Sequence, residues 1–369
     1  MKTAFTDESR MLRESAAALS AAEFPMEQIR RMADLPEGIT KEGWEALAAQ
    51  GWLGILVPEE HGGLGLGITE LAIVLEELGP ALVPGPFWSA ATLGVPAVAL
   101  SDNSGLRSQW LDDLSSGARR ATLALQEDGG LPSPNGSLLA AEVEGGGYRL
   151  SGTRRFVPDL VGADGVVVVA RGPRGPLAFL IEPSRTGLGI EENLITDSTS
   201  RYGTLALHRV EVTDADLLGD WSLVEKLLDY GNVGITAMSV AAAQAVLDQA
   251  VNYAKQRIQF GVPIGTFQAV QHSLVDVFGE IEGARSAYLY AAWAVDHGHP
   301  DARRAVALGR LTSNAAYHQA CTTSLQVHGG IAFTWEYDLH LHLKRALHLR
   351  CLLGTAADYE EVIARALLA

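Results

Sequence analysis

Apolar residues recur every three to four positions over residues 5–20, 41–51 and 68–79, the spacing that lines one face of a helix. In the second stretch Trp44 and Leu47, with Trp52 just beyond, fall on one face. Between the second and third lies Val57-Pro58-Glu59-Glu60-His61-Gly62-Gly63-Leu64-Gly65-Leu66-Gly67, where a proline and repeated glycines predict a loop. Gly79-Pro80 stops the third helix, and Pro84, Gly85 and Pro86 keep the chain irregular before helical spacing at 89–100 and 105–116.

The pattern changes near residue 119. Short runs rich in Val, Leu and Ala occupy 121–126, 137–143, 147–151, 165–170, 177–182 and 204–212. Turn material such as Asp128-Gly129-Gly130, Gly145-Gly146-Gly147 and Gly172-Pro173-Arg174-Gly175-Pro176 separates them. Strands at this spacing predict an antiparallel sandwich or barrel. The clearest is Gly165-Val166-Val167-Val168-Val169-Ala170, because a block of β-branched residues favours a buried strand. From about Trp221 helical spacing returns and persists over 222–259, 265–297, 300–328 and 338–369, which predicts a four-helix bundle. The order is an α+β architecture in three domains: residues 1–118 helical, 119–220 a middle antiparallel β domain, and 221–369 a helical bundle.

Composition narrows the function classes. A chain of 369 residues with 47% hydrophobic positions can bury a sizeable core. The net charge of −16 and the lack of a basic stripe argue against nucleic acid; Arg119-Arg120, Arg154-Arg155 and Arg303-Arg304 read as solvated charge. No apolar run is long enough to span a bilayer, and the charged N-terminal stretch carries no secretory pattern. The two cysteines, Cys321 and Cys351, lie in apolar helical sequence and read as buried thiols of a reducing compartment. Together these features predict a cytoplasmic protein. His340, His342 and His348 look like a metal cluster, but residues two apart on a helix point to different faces, so a joint site is not expected.

Three blocks carry chemistry. The first is Gly51-Trp52-Leu53-Gly54, then Val57-Pro58-Glu59-Glu60-His61-Gly62-Gly63 and Glu76-Glu77-Leu78-Gly79. The second is Arg257-Ile258-Gln259-Phe260-Gly261 with Ile264 and Phe267-Gln268, and the third is Gln326-Val327-His328-Gly329-Gly330-Ile331-Ala332-Phe333 running on to Trp335-Glu336-Tyr337. Arg257 offers a fixed charge and a planar fork of donors suited to a pyrophosphate. Phe260 can pack beside an aromatic ring edge, Gln268 opens the next helix, and Gly329-Gly330 lets a backbone approach a phosphate or ribose. Taken singly, such an arginine is usually a solvated ion-pair partner and such glycines a helix cap.

Nearly the whole chain, through these blocks in this order, resembles the acyl-CoA dehydrogenase family. The resemblance implies a flavoprotein that binds FAD at a subunit interface, with Arg257, Gln259, Phe260, Gln268, Gln326, Val327, Gly329 and Gly330 gripping the ADP half of a cofactor held mainly by a neighbour. It also implies α,β-dehydrogenation of an acyl-CoA thioester. In that reaction a carboxylate with a raised pKa removes the α-proton as hydride passes to the flavin.

The same resemblance exposes what is absent. The family's base position is occupied by Leu353, and the alternative position near the start of the long bundle helix by about Gly231. Asp229, Asp358 and Glu360 lie nearby in sequence but read as helix-end charges. Two segments that hold the flavin ring in the family align with Gln126-Glu127-Asp128-Gly129-Gly130 and with Phe156-Val157-Pro158-Asp159, where Pro158 removes a backbone donor. The sequence is therefore similar to the non-catalytic partner chain of actinobacterial heterotetramers that act on bulky, steroid-type acyl-CoA thioesters. That similarity implies a second acyl-CoA dehydrogenase-like subunit as partner. Two alternatives stay open: an active homo-oligomer using another carboxylate, and a flavin-free structural homologue.

Overall fold

The computed structural model describes residues 6–125, 139–142 (backbone), 147–172 and 175–368. Helices α1 (Asp7–Glu23), α2 (Met26–Met32), α3 (Lys41–Ala48), α4 (Ile68–Leu78), α5 (Phe87–Ser89), α6 (Val95–Ala99) and α7 (Ser104–Ser115) come first, with α5 and α6 joined through a π turn. Strands follow: β1 (Ala121–Ala124), β2 (Leu139–Glu142), β3 (Tyr148–Pro158), β4 (Gly165–Gly172), β5 (Gly175–Ile181), β6 (Leu188–Asn193), β7 (Tyr202–Val212) and β8 (Leu217–Asp220). The chain closes with α8 (Trp221–Gln256), a hairpin of β9 (Ile258–Gln259) and β10 (Val262–Pro263), then α9 (Gln268–Asp296), α10 (Ala302–His328), α11 (Leu339–Leu349) and α12 (Ala356–Leu368). Helix starts are set by side-chain caps: Thr6, Thr40 and Asn103 accept the amides of Ser9, Gly43 and Leu106, satisfying donors that the first turn leaves unpaired.

Two compact units result, one taking in the chain up to Arg30, Ala72–Val83 and Asn232 onward, the other Arg31–Leu71 and Pro84–Gly231. In the second unit the strands form one sheet in the order β6-β7-β3-β2-β4-β5-β8, with β1 paired to β4. Pairing is antiparallel except where β1 and β2 meet β4, which is parallel. The valine block forms the middle of β4, and Val166 and Val168 pack with Leu150, Phe179, Leu205 and Val210 in the core. Strands β6 and β8 were not expected from the sequence. The first, Leu-Gly-Ile-Glu-Glu-Asn, is exposed along most of its length and is held by its ladder to β7 rather than by apolar alternation. The register of β3 slips between Leu150 and Gly152 and again between Arg154 and Val157.

In the first unit the end of α4 lies against α8. A Cβ on Gly79 would meet the Met238 carbonyl oxygen at 2.5 Å, so only glycine allows that approach. Glu76, 3% exposed, accepts from Arg13 at 2.7 Å and Arg285 at 2.6 Å, a buried carboxylate compensated by two guanidinium groups. Tyr288 lies beside it, its phenol pushed well up by burial and by Glu76. Helix α9 buries one stripe through Val277, Ile281, Ala284 and Tyr288 and leaves Val275 and Phe278 exposed.

Two expectations need correction. The last bundle segment is not one helix over 338–369, because the chain turns between α11 and α12, with Leu353 at φ 57° and Gly354 at φ 141°. Of the two cysteines only Cys321 is buried; Cys351 is exposed on that turn. Among the described residues no helix is long and apolar enough to cross a membrane. His342 is buried and hydrogen-bonded to the Tyr317 hydroxyl at 2.8 Å, within the core of the unit.

Candidate functional site

The second and third sequence blocks both sit at ends of bundle helices. Arg257 follows α8 directly, its amide bonded to the Tyr253 carbonyl at 2.8 Å, while its own carbonyl accepts from Ile264 at 2.8 Å. The β9–β10 hairpin then turns through Phe260 and Gly261, both left-handed, with φ 53° and 82°. Two consecutive positive φ values define the tight hairpin turn that ordinarily takes Asn-Gly, so phenylalanine sits there under strain. Its ring is 93% exposed and meets Phe267 edge-on at 6.2 Å. Gln268 is the first residue of α9, and Arg257, Gln259 and Gln268 are all exposed. The Arg257 side chain has no ion pair or hydrogen bond among the described residues.

The third block forms the other limb. Gln326 is exposed near the end of α10, Val327 is half-buried, and His328 closes the helix. Gly329 turns out with φ 64°, and neither it nor Gly330 has any atom within 4 Å of where a Cβ would stand. The structure brings the two limbs together at their roots. The Tyr253 and His328 rings lie 4.3 Å apart, and Tyr337 approaches the same imidazole at 5.0 Å. Those contacts were not read from the sequence, because a tyrosine one turn before the arginine carries no motif signal. Beyond them Trp335, 68% exposed, is held by the stacked ring of His340 at 4.9 Å and by the cations of Arg30 and Lys344.

The two positions that the resemblance assigns to a base look different. Leu353 is 8% exposed, and its turn is clamped from within. Arg310, fully buried, donates to the carbonyls of Leu349 and Leu352, both at 2.8 Å, and to Asn314 at 3.1 Å. The Tyr359 hydroxyl lies 3.0 Å from the Leu353 carbonyl and 2.7 Å from Asn232 Oδ1. The guanidinium is satisfied by a helix C-terminus and an aromatic face rather than by a carboxylate. Gly231 is buried in α8, where its carbonyl accepts from the Trp88 indole N–H at 3.1 Å. Asp358 accepts from the Thr355 amide at 2.8 Å and hydroxyl at 2.6 Å, which commits it to capping α12. Asp229 is half-buried with a partner of its own, and Glu360 is exposed.

In the sheet unit, Phe156 sits at the second slip of β3 with φ 51° and is 47% exposed. Pro158 is buried at the strand's end, its carbonyl accepting from the Thr122 hydroxyl at 2.6 Å. Asp159, also left-handed, accepts from Ser89 at 2.5 Å and donates its amide to Arg201. The segment Gln126–Gly130 lies outside the described residues.

Residues 6–118 match the acyl-CoA dehydrogenase N-terminal domain model and residues 221–368 the acyl-CoA dehydrogenase C-terminal domain model. The chain belongs to the acyl-CoA dehydrogenase family, an oxidoreductase family whose cofactor is FAD. It is 31% identical to the acyl-CoA dehydrogenase IpdE2 of Mycobacterium tuberculosis over 92% of this chain and 91% of that protein. Among solved structures it resembles the ChsE4-ChsE5 complex from Mycobacterium tuberculosis, with TM-score 0.92, 29% identity, and 100% and 99% of the two chains covered. It also resembles a variant of the Tcur3481-Tcur3483 steroid ACAD, with TM-score 0.90, 30% identity, and 98% and 99% covered.

The exposed groups at the bundle ends fit the ADP half of FAD. An arginine fork without a carboxylate partner suits a pyrophosphate, a presented phenyl ring suits an aromatic edge, and two open glycines allow backbone approach.

Proposed function

We propose that this chain is the subunit of a heteromeric, FAD-dependent acyl-CoA dehydrogenase that completes a partner's flavin site without supplying a base. One observation carries the reading: Arg257 is exposed with no side-chain partner among the described residues, in a chain where the two positions that the family resemblance assigns to a base hold a buried leucine and a buried glycine. Arg257 is assigned to the pyrophosphate and Phe260 to a ring edge. Gln259, Gln268 and Gln326 are assigned to polar groups of the ADP half, and Val327, Gly329 and Gly330 to close backbone approach. When bound, FAD supplies the hydride acceptor for oxidation at Cα–Cβ of the thioester. In this chain nothing at Leu353 or Gly231 can take the α-proton, so a carboxylate of the partner chain has to.

The assignment of a heteromeric partner is supported by likeness to one solved complex and to a paired steroid ACAD. The latter also supports a bulky, steroid-type acyl group as substrate. On this reading residues 1–118, 119–220 and 221–369 are the three domains of a cytoplasmic subunit. The test is affinity purification of the tagged chain from its native host, with mass spectrometry of whatever co-purifies. A second acyl-CoA dehydrogenase-like chain should appear, and flavin should be present in that assembly and missing from the chain expressed alone. A yellow homo-oligomer that turns over acyl-CoA would overturn the reading and direct attention to Asp229 or Glu360 as base.

A further inference from the structure

We propose that His328 is the positioning residue that ties the two limbs of the FAD half-site together, and that it does so as the neutral imidazole; this rests on the half-site reading above. The ring is 4% exposed and packs between Tyr253 on α8 at 4.3 Å and Tyr337, just before α11, at 5.0 Å. Tyr253 holds the amide of Arg257, and His328 is bonded covalently to Gly329. One imidazole therefore connects the root of the arginine limb to the root of the glycine limb. No other ring contact recorded among the described residues joins α8 to the end of α10.

The tautomer follows from the partners. Nδ1 lies 2.8 Å from the Ser324 carbonyl oxygen, an acceptor only, so Nδ1 carries the proton. Nε2 is then a bare lone pair, buried, with no hydrogen-bond partner among the described residues. The groups facing the ring are the phenol of Tyr253 from α8, the hydroxyl and carbonyl of Ser324 from its own helix, and the phenol of Tyr337. Asp338, beside Tyr337, is engaged by Arg30 at 2.6 Å, so no free carboxylate is offered to a second imidazole proton. Protonation would bury an N–H without an acceptor, and that cost opens the contact.

The sign follows. Burial lowers the imidazole pKa from its ordinary 6.5 in the closed arrangement. The closed arrangement is thus at full strength above that ordinary value and is lost as pH falls below it. Each unit by which the closed-state pKa is depressed is worth about a tenfold change in the closing equilibrium.

The experiment measures the FAD dissociation constant of the native assembly between about pH 8 and about pH 5, the range over which an ordinary imidazole titrates. Wild type is compared with His328→Phe and His328→Ala. Wild type should bind FAD more weakly as the pH falls. His328→Phe keeps the ring contacts but has no proton to gain, so its profile should be flatter. His328→Ala should bind more weakly at every pH. Proton NMR of the His328 ring in the flavin-free full chain should show it titrating below the ordinary histidine value. A Phe variant with the wild-type pH profile, an Ala variant with wild-type affinity, or an imidazole titrating at its ordinary value would each overturn the role. A wild-type assembly that takes no FAD at any pH would instead overturn the half-site reading, and this role with it.

Discussion

Phe260 and Leu353 share a backbone conformation that bulky residues rarely adopt, with φ of 53° and 57°, yet one is 93% exposed and the other 8%. At Phe260 a two-residue hairpin holds the strain and presents a ring that the chain itself does not cover. At Leu353 the strain is held by Arg310 and Tyr359, which take up the carbonyls of Leu349, Leu352 and Leu353. Strained residues persist where the surroundings over-determine them, and they concentrate at functional positions. The difference teaches that a strained φ alone does not mark a site; what separates the two turns is whether their side chains are left at the surface or enclosed. The Phe260 turn keeps its side chain uncommitted at the surface, as the proposed FAD contact requires. The Leu353 turn has its carbonyls taken up internally and an apolar side chain at the position proposed to lack a base.

The sharpest way to break this comparison is at the buried turn. Arg310→Met keeps much of the volume but leaves the Leu349 and Leu352 carbonyls without their donor. A loss of about 3 kcal/mol in unfolding free energy is expected from orphaned buried acceptors. Urea denaturation of the full chain reads it, and a loss below about 1 kcal/mol would mean that the clamp does not hold the turn.

The exposed turn should behave the other way. Arg257→Ala should leave the fold intact while weakening FAD binding by about 1.5–3 kcal/mol, the range for a hydrogen bond to a charged group. Unchanged flavin occupancy of the purified assembly would remove Arg257 from the site. A smaller and more telling effect is expected from Phe260→Asn. Asparagine suits the left-handed turn before Gly261, so thermal unfolding should show stabilisation by about 1 kcal/mol. The same variant should bind FAD less well. A variant that gains stability and keeps full affinity would mean that the ring serves some other purpose.

The long helices and the valine strand were legible because apolar period and β-branched blocks dominate those segments. The three motif blocks were legible because their residue types and order resemble a family, and the structure places the second and third side by side. Short elements such as α2, β6 and β8 were not legible: they are held by neighbouring elements, and their own patterns are weak. The break between α11 and α12 was missed for a related reason. Cys351-Leu352-Leu353 reads as helix, and the left-handed turn is held by Tyr359 and by Arg310, the latter from distant sequence. His328 lies within the third block, but its contacts with Tyr253, which comes from distant sequence, and with Tyr337 carry no local signal.

The central claim is that this chain binds part of a flavin site and removes no proton. Its most direct test is acyl-CoA dehydrogenation by the purified chain alone, supplied with FAD, an artificial electron acceptor and thioesters from short-chain to steroid-sized. No turnover above background is predicted, with activity appearing once the partner chain is added. Substantial turnover by the unmutated chain alone would contradict the account, because a base would then have to exist where Leu353 and Gly231 offer none.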